Sequence, residues 1–200
     1  MNHKRHLFLV LTVALATLCA SQASGQNLRG NYDTYLPVLA VKTNALYWAT
    51  TTPNLGIEIG LGKRLTLDVS ANYNPWKFED NKKMKHWMIQ PELRVWMCER
   101  FQGHFLGVHM FYADYNMGGM GIFGMKDYRY DGTLCGMGIS YGYQWIIGRR
   151  WNLEATIGFG YAHLKYDKYV QNRCGAYLGS DTENYFGPTK VGISFVYIIK

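Results

Sequence analysis

Apolar side chains recur at every second position through most of this chain, and a two-residue period confines it to β-strands with two unlike faces. In Leu55 to Gly62 the odd positions are Leu55, Ile57, Ile59 and Leu61, and the even ones are Gly56, Glu58, Gly60 and Gly62. The pattern returns with Leu65, Leu67, Val69, Ala71 and Tyr73 against Thr66, Asp68, Ser70 and Asn72, and with Trp87, Ile89, Pro91, Leu93 and Val95 against Gln90, Glu92 and Arg94. It returns again with Leu153, Ala155, Ile157, Phe159 and Tyr161 against Asn152, Glu154, Thr156, Gly158 and Gly160, and with Val191, Ile193, Phe195 and Tyr197 against Lys190, Gly192 and Ser194. Further segments near Val38 to Trp48, His104 to Tyr115 and Thr133 to Ile147 bring the expected strands to eight.

Hydrophobic residues make up 48% of the chain, yet outside the N-terminus they never gather into the run of about 18 that a spanning helix needs. The exception is a leader: Lys4 and Arg5 precede an apolar stretch from Leu7 to Ala20, and Ser21 to Gln26 supply small residues for cleavage. We read residues 1–25 as a signal peptide, 26–37 as a periplasmic lead and 38–200 as the folded domain. Leu18 before Cys19 is too bulky for the usual lipoprotein site. Without Lys4 and Arg5 there are 19 bases against 14 acids, a modest excess that gives no reason to expect nucleic acid.

The polar face decides the architecture. A soluble sandwich would show water a lysine-rich face; here the face carries glycines and single acids or bases, as an enclosed surface would. Such faces suit an eight-stranded antiparallel up-and-down transmembrane β-barrel, whose interior is just wide enough to be filled by side chains. The connections agree. Gly62 to Arg64, Glu99 to Gly103 and Gly148 to Arg150 are short, and they alternate with long loops at Asn74 to Lys85, Asn116 to Asp131 and Asp167 to Gly187. The first outer connection, near Thr51 to Asn54, is the short exception, and Pro91 inside a strand is a conflict with an unbroken ladder. Aromatics fall where interfacial belts belong: Tyr47, Trp48, Tyr73, Trp76, Trp87, Tyr112, Tyr115 and Tyr166 toward the loops, and Trp96, Trp145, Trp151 and Tyr197 toward the turns.

Three blocks carry a resemblance: VKTNALYWATTTPNLGIEIGLGKRLTLD (Val41 to Asp68), YGYQWIIGRRWNLEATIGFGYAHLKYDKY (Tyr141 to Tyr169) and the ending TKVGISFVYIIK. The chain resembles an uncharacterised family of Bacteroidetes outer-membrane barrel proteins, a domain of unknown function. The resemblance implies a location in the outer membrane of a Gram-negative bacterium with both termini periplasmic. It further implies a role beside fimbrial or OmpA-like surface proteins, and it assigns no chemistry to any residue. Lys200 departs from the usual final aromatic of outer-membrane barrels, leaving Phe195 and Tyr197 to serve as the insertion signal.

Site chemistry is sparse, and we expect no catalytic residue, cofactor or metal. Gly119, Gly121 and Gly124 match a dinucleotide spacing but lack the strand before and helix after it, and Met117, Met120 and Met125 read as a mobile apolar tip. A lipid-modifying enzyme would need a serine and a histidine in hydrogen-bond reach. His104, His109 and His163 and the inward serines Ser70, Ser140 and Ser194 are not spaced for this on one strand, though neighbouring strands leave it open as the alternative. The expected lumen charge network comprises Glu58, Asp68, Glu92, Arg94, Glu154, Lys42 and Lys190, paired as a plug rather than lining a conducting pore. Cys98, Cys135 and Cys174 remain after the leader, and Cys135 and Cys174 lie on the same side for a bridge, with free thiols the other outcome. Trp76, Phe78, Tyr128, Tyr130 and Tyr169 are the candidate surface-loop contacts, for partner proteins or for outer-membrane lipid and lipopolysaccharide. The reading as a whole is a monomeric, non-catalytic barrel with a structural, anchoring or interaction role.

Overall fold

The computed structural model describes residues 36–76, 83–118, 128–170 and 176–199. Eight antiparallel strands follow one another around a closed barrel, β1 (Leu39–Asn44), β2 (Asn54–Gly60), β3 (Leu65–Asn74), β4 (Lys83–Trp96), β5 (Gly103–Gly118), β6 (Tyr128–Ile146), β7 (Trp151–Val170) and β8 (Tyr177–Ile198), with β8 closing on β1. Every neighbour in the ring is the next strand in sequence, as an up-and-down order requires. Pro91 costs little. It pairs with Val69 across β3, and the β4 and β5 ladder resumes in the same register on either side of it.

Alternation sets the faces. Leu55, Ile57 and Ile59 on β2, Leu93 and Val95 on β4, Leu106, Val108 and Met110 on β5, Met137 and Ile139 on β6, Ile157 and Phe159 on β7 and Ile193 and Phe195 on β8 are all exposed on the outside. The positions between them, odd on β5 and even on the other strands, are buried or half-buried, and they are largely polar or glycine. Gly107 and Gly138 are required by close approach rather than by backbone angle: a Cβ on Gly107 would collide with the Glu92 carboxylate, and one on Gly138 would stand 2.9 Å from the His109 ring.

Strand length rises around the ring from 6 residues in β1 to 22 in β8, so the tallest strand stands beside the shortest. Three expectations are corrected by this slope. Residues 45–49 are helical (α1, Ala45–Ala49) rather than the end of β1, because the Asn44 side chain caps the turn by accepting from the Leu46 N–H at 3.1 Å. The expected loop from Asn116 to Asp131 is strand as far as Gly118 and again from Tyr128, and the expected loop from Asp167 to Gly187 is strand to Val170 and from Tyr177. Two-sided polar strands above the apolar belt lose the alternation that marks a strand in sequence.

A bulge explains how β8 continues upward. Gly158 pairs with Lys190 and Phe159 with Pro188, which leaves Thr189 as an extra residue. Proline suits that place, having no N–H to leave unpaired. Below the bulge the even residues of β8 face the lumen; above it Tyr185 and Glu183, paired with Ala162 and Leu164, take the inward side. Where β8 outgrows β1, the Asn44 side chain substitutes for strand by donating to the Val191 carbonyl at 3.2 Å and accepting from the Ile193 N–H at 3.2 Å.

Candidate functional site: a charged lumen beneath an open cup

The middle of the lumen is filled by ionised side chains contributed by six strands. Arg94 on β4 is fully buried, and its guanidinium reaches Glu58 on β2 at 3.0 Å, Asp68 on β3 at 3.1 Å, Glu92 at 2.8 Å and Glu154 on β7 at 2.8 Å. Lys42 on β1 lies 3.0 Å from Glu58, 2.9 Å from Asp68 and 3.6 Å from Glu154. Lys190 on β8 lies 2.5 Å from Glu92 and 3.7 Å from Asp68. All seven lumen residues picked out by sequence parity thus meet in one cluster.

Hydroxyls finish what the cations leave undone. Thr66 donates to Glu58 at 2.6 Å, Thr156 to Glu154 at 3.0 Å, and Ser140 to Glu92. Four acids against three bases in so dry a space would be costly without such donors. The space left at the cluster is about 30 Å³, room for a water or two rather than for a stream of them.

Below the cluster an aromatic floor seals the lumen, and sequence reasoning missed it. Phe105 lies under Arg94, whose guanidinium carbon is 4.3 Å from the ring centroid. Trp96 packs on Phe105 at 4.8 Å and on Phe101 at 6.2 Å, and its indole N–H donates to Thr66 at 2.9 Å. Trp96 is therefore an interior residue and not part of the turn-side belt, as its even position on β4 could have told. Phe101 comes from the β4 to β5 turn at a backbone φ of 66°, a strained angle for an aromatic that is held by its burial and by Asn152, which donates to its carbonyl at 2.9 Å. Arg100 beside it ties the turns together through the Gly62 and Leu36 carbonyls at 2.8 and 2.7 Å.

Above the cluster sits the single hydrogen-bonded histidine and hydroxyl pair of the described lumen. His109 Nε2 and Thr189 Oγ1 are 2.9 Å apart, while His109 Nδ1 is buried without a partner. A nucleophile of the serine and histidine kind needs a third group to orient the base, and no acid takes that place. The inward serines lie elsewhere: Ser140 serves Glu92 and Ser70 donates to the Gln90 carbonyl at 3.3 Å. His104 and His163 face outward, the first bonded to the Tyr141 hydroxyl at 2.6 Å and the second to Asn184 at 2.8 Å.

Higher still the lumen widens into a cup of about 610 Å³, lined by Met88, Leu134, Leu164 and Glu183 at one level and by Tyr115, Tyr166 and Tyr130 above them. Tyr47 reaches into it from α1. Tyr47, Tyr115 and Tyr166, expected in the outer belt, are thus cup residues, whereas Trp87 and Tyr112 stack outside at 5.6 Å and Trp151 and Tyr197 at 4.9 Å on the opposite rim.

The candidate loop contacts are partly reassigned. Tyr128, Tyr130 and Tyr169 stand on strands, with Lys168 3.8 Å above the Tyr128 ring, Arg129 4.6 Å above that of Tyr169, and Tyr130 edge-on to Tyr166 at 5.3 Å. Trp76 is half exposed but donates to the Thr51 carbonyl at 2.7 Å, pinning the first outer connection. Phe78, Cys174, the glycines of the dinucleotide-like spacing, Met120 and Met125 lie outside the described residues. Cys98 and Cys135 are exposed. Among the described residues no group of three or more His, Cys, Asp and Glu side chains is arranged to hold a metal ion.

Residues 7–199 match a family model described as protein of unknown function (DUF3575). No curated protein matches the chain, and no solved structure does.

Proposed function

The chain belongs to that family of unknown function, and on this premise we propose that it is a non-catalytic barrel of the bacterial outer membrane, anchoring or scaffolding other molecules at the cell surface. One observation carries the reading. A closed barrel that buries six charges, half-buries a seventh at Lys190 and turns isoleucine, leucine, valine, methionine and phenylalanine outward on strand after strand has its solvent preferences inverted relative to a soluble domain. The largest exposed apolar patch on a soluble monomer is about 300–600 Å²; here the band passes around the ring from β2 to β8. Tryptophan and tyrosine pairs at the two ends of the band support lipid and lipopolysaccharide as its surroundings.

The start of β1 and the end of β8 lie at one rim, opposite the projecting ends of β5 to β8, which fits a periplasmic start and finish of the barrel. An accessory role beside fimbrial or OmpA-like surface proteins is part of the proposal and rests on the family resemblance. The filled lumen and the missing third member beside His109 favour this over a lipid-modifying enzyme.

Membrane fractionation joined to a gel assay tests it. The folded protein is expected in the outer-membrane fraction and to migrate faster before boiling than after. Ile59→Arg, outward on β2 and near the middle of the band, should lower stability by about 2–4 kcal/mol in lipid. Recovery of the wild type in the soluble periplasmic or secreted fraction overturns the proposal.

A further inference from the structure

We propose that the cup above the charge cluster is a binding site for an apolar organic cation, with Glu183 as the group that selects its charge. The volume, about 610 Å³, lies within the roughly 300–1,000 Å³ of small-molecule sites. A second hollow of about 330 Å³ shares Met88, Leu134 and Leu164 with it and descends toward Phe111, so an apolar body has somewhere to go.

The sign of the ligand follows from what surrounds the space. Among the described residues no lysine or arginine lines the cup, and Glu183 is the one lining residue with a full charge. The cations below are already committed: Lys42, Arg94 and Lys190 all engage the lumen acids. Glu183 makes no ion pair with any described residue. An anion would meet a carboxylate and phenols, whereas a cation would meet the carboxylate and the aromatic rings of Tyr47, Tyr115 and Tyr166, which attract positive charge.

The slope of the barrel builds this site. Short β1 to β3 leave the cup open on one side, α1 places Tyr47 at its edge, and the bulge at Thr189 turns Glu183 and Tyr185 inward. The inference does not depend on which membrane, if any, surrounds the barrel.

The full-length barrel in lipid nanodiscs, with empty nanodiscs as background, is titrated with (1-naphthylmethyl)trimethylammonium and with 1-naphthylmethanesulfonate, and binding is read by naphthyl fluorescence anisotropy. The cation is expected to bind saturably and the sulfonate not to bind. Glu183→Gln should weaken the cation at least tenfold, and Leu134→Trp, which puts a bulkier ring beside Met88 and Leu164 where the apolar body would sit, should weaken it as well, with boiling-dependent gel mobility showing that both variants remain folded. Equal binding of the two ions, unchanged affinity in Glu183→Gln, or no saturable binding to the wild type overturns the proposal. Loss of folding in Leu134→Trp leaves the decision to Glu183→Gln, which alters an exposed side chain.

Discussion

Arg94 concentrates the dependence of the barrel on single side chains. It is fully buried and touches four carboxylates, so Arg94→Ala leaves a dry lumen with uncompensated negative charge. Breaking a buried pair in this way costs about 3–5 kcal/mol; urea titration of the boiling-dependent gel shift should show the loss, and an unchanged midpoint would refute the plug. Parity alone placed Arg94, Glu58, Asp68, Glu92 and Glu154 on one face. It could not say that Lys42 and Lys190, 148 positions apart, would approach the same Asp68. That follows from closure of β8 on β1, a long-range event with no local signature.

At the scale of elements, the β4 to β5 turn does more than reverse the chain. It folds Phe101 under Trp96 and sends Arg100 to the neighbouring turns. Phe101→Ala should therefore destabilise by about 3–5 kcal/mol, as for other buried aromatics, a large effect for a turn residue and measurable by the same titration. If the variant lost less than about 1 kcal/mol, the floor would not be a structural seal. In the sequence this segment shows only a short turn rich in polar residues. The upper strands were hidden for a related reason: in Lys165 to Val170 and Tyr177 to Gly187 no apolar period survives to announce them.

For the whole molecule, the sealed lumen and the sloping rim are separable. With about 30 Å³ free at the cluster and aromatic side chains beneath it, the barrel should give no stepwise ion conductance in a planar bilayer; regular conductance steps would contradict the packing. The projecting hairpin lies beyond the outward apolar band, so deletion of residues 165–182 should preserve the gel shift of the folded barrel. Failure to fold would mean that the tall strands help to form the barrel rather than ride on it.

The sequence by itself determined the strand count, the two faces and the membership of the charge cluster, because within the apolar band a period of two is a local property that a window of eight residues displays. Tertiary structure decided which acid meets which base, that Trp96 and Phe101 close the floor, and that Tyr47, Tyr115, Tyr166 and Glu183 surround one space. Those depend on the stagger of the strands, on one extra residue at Thr189 and on unequal strand lengths, which act only when the ring is closed.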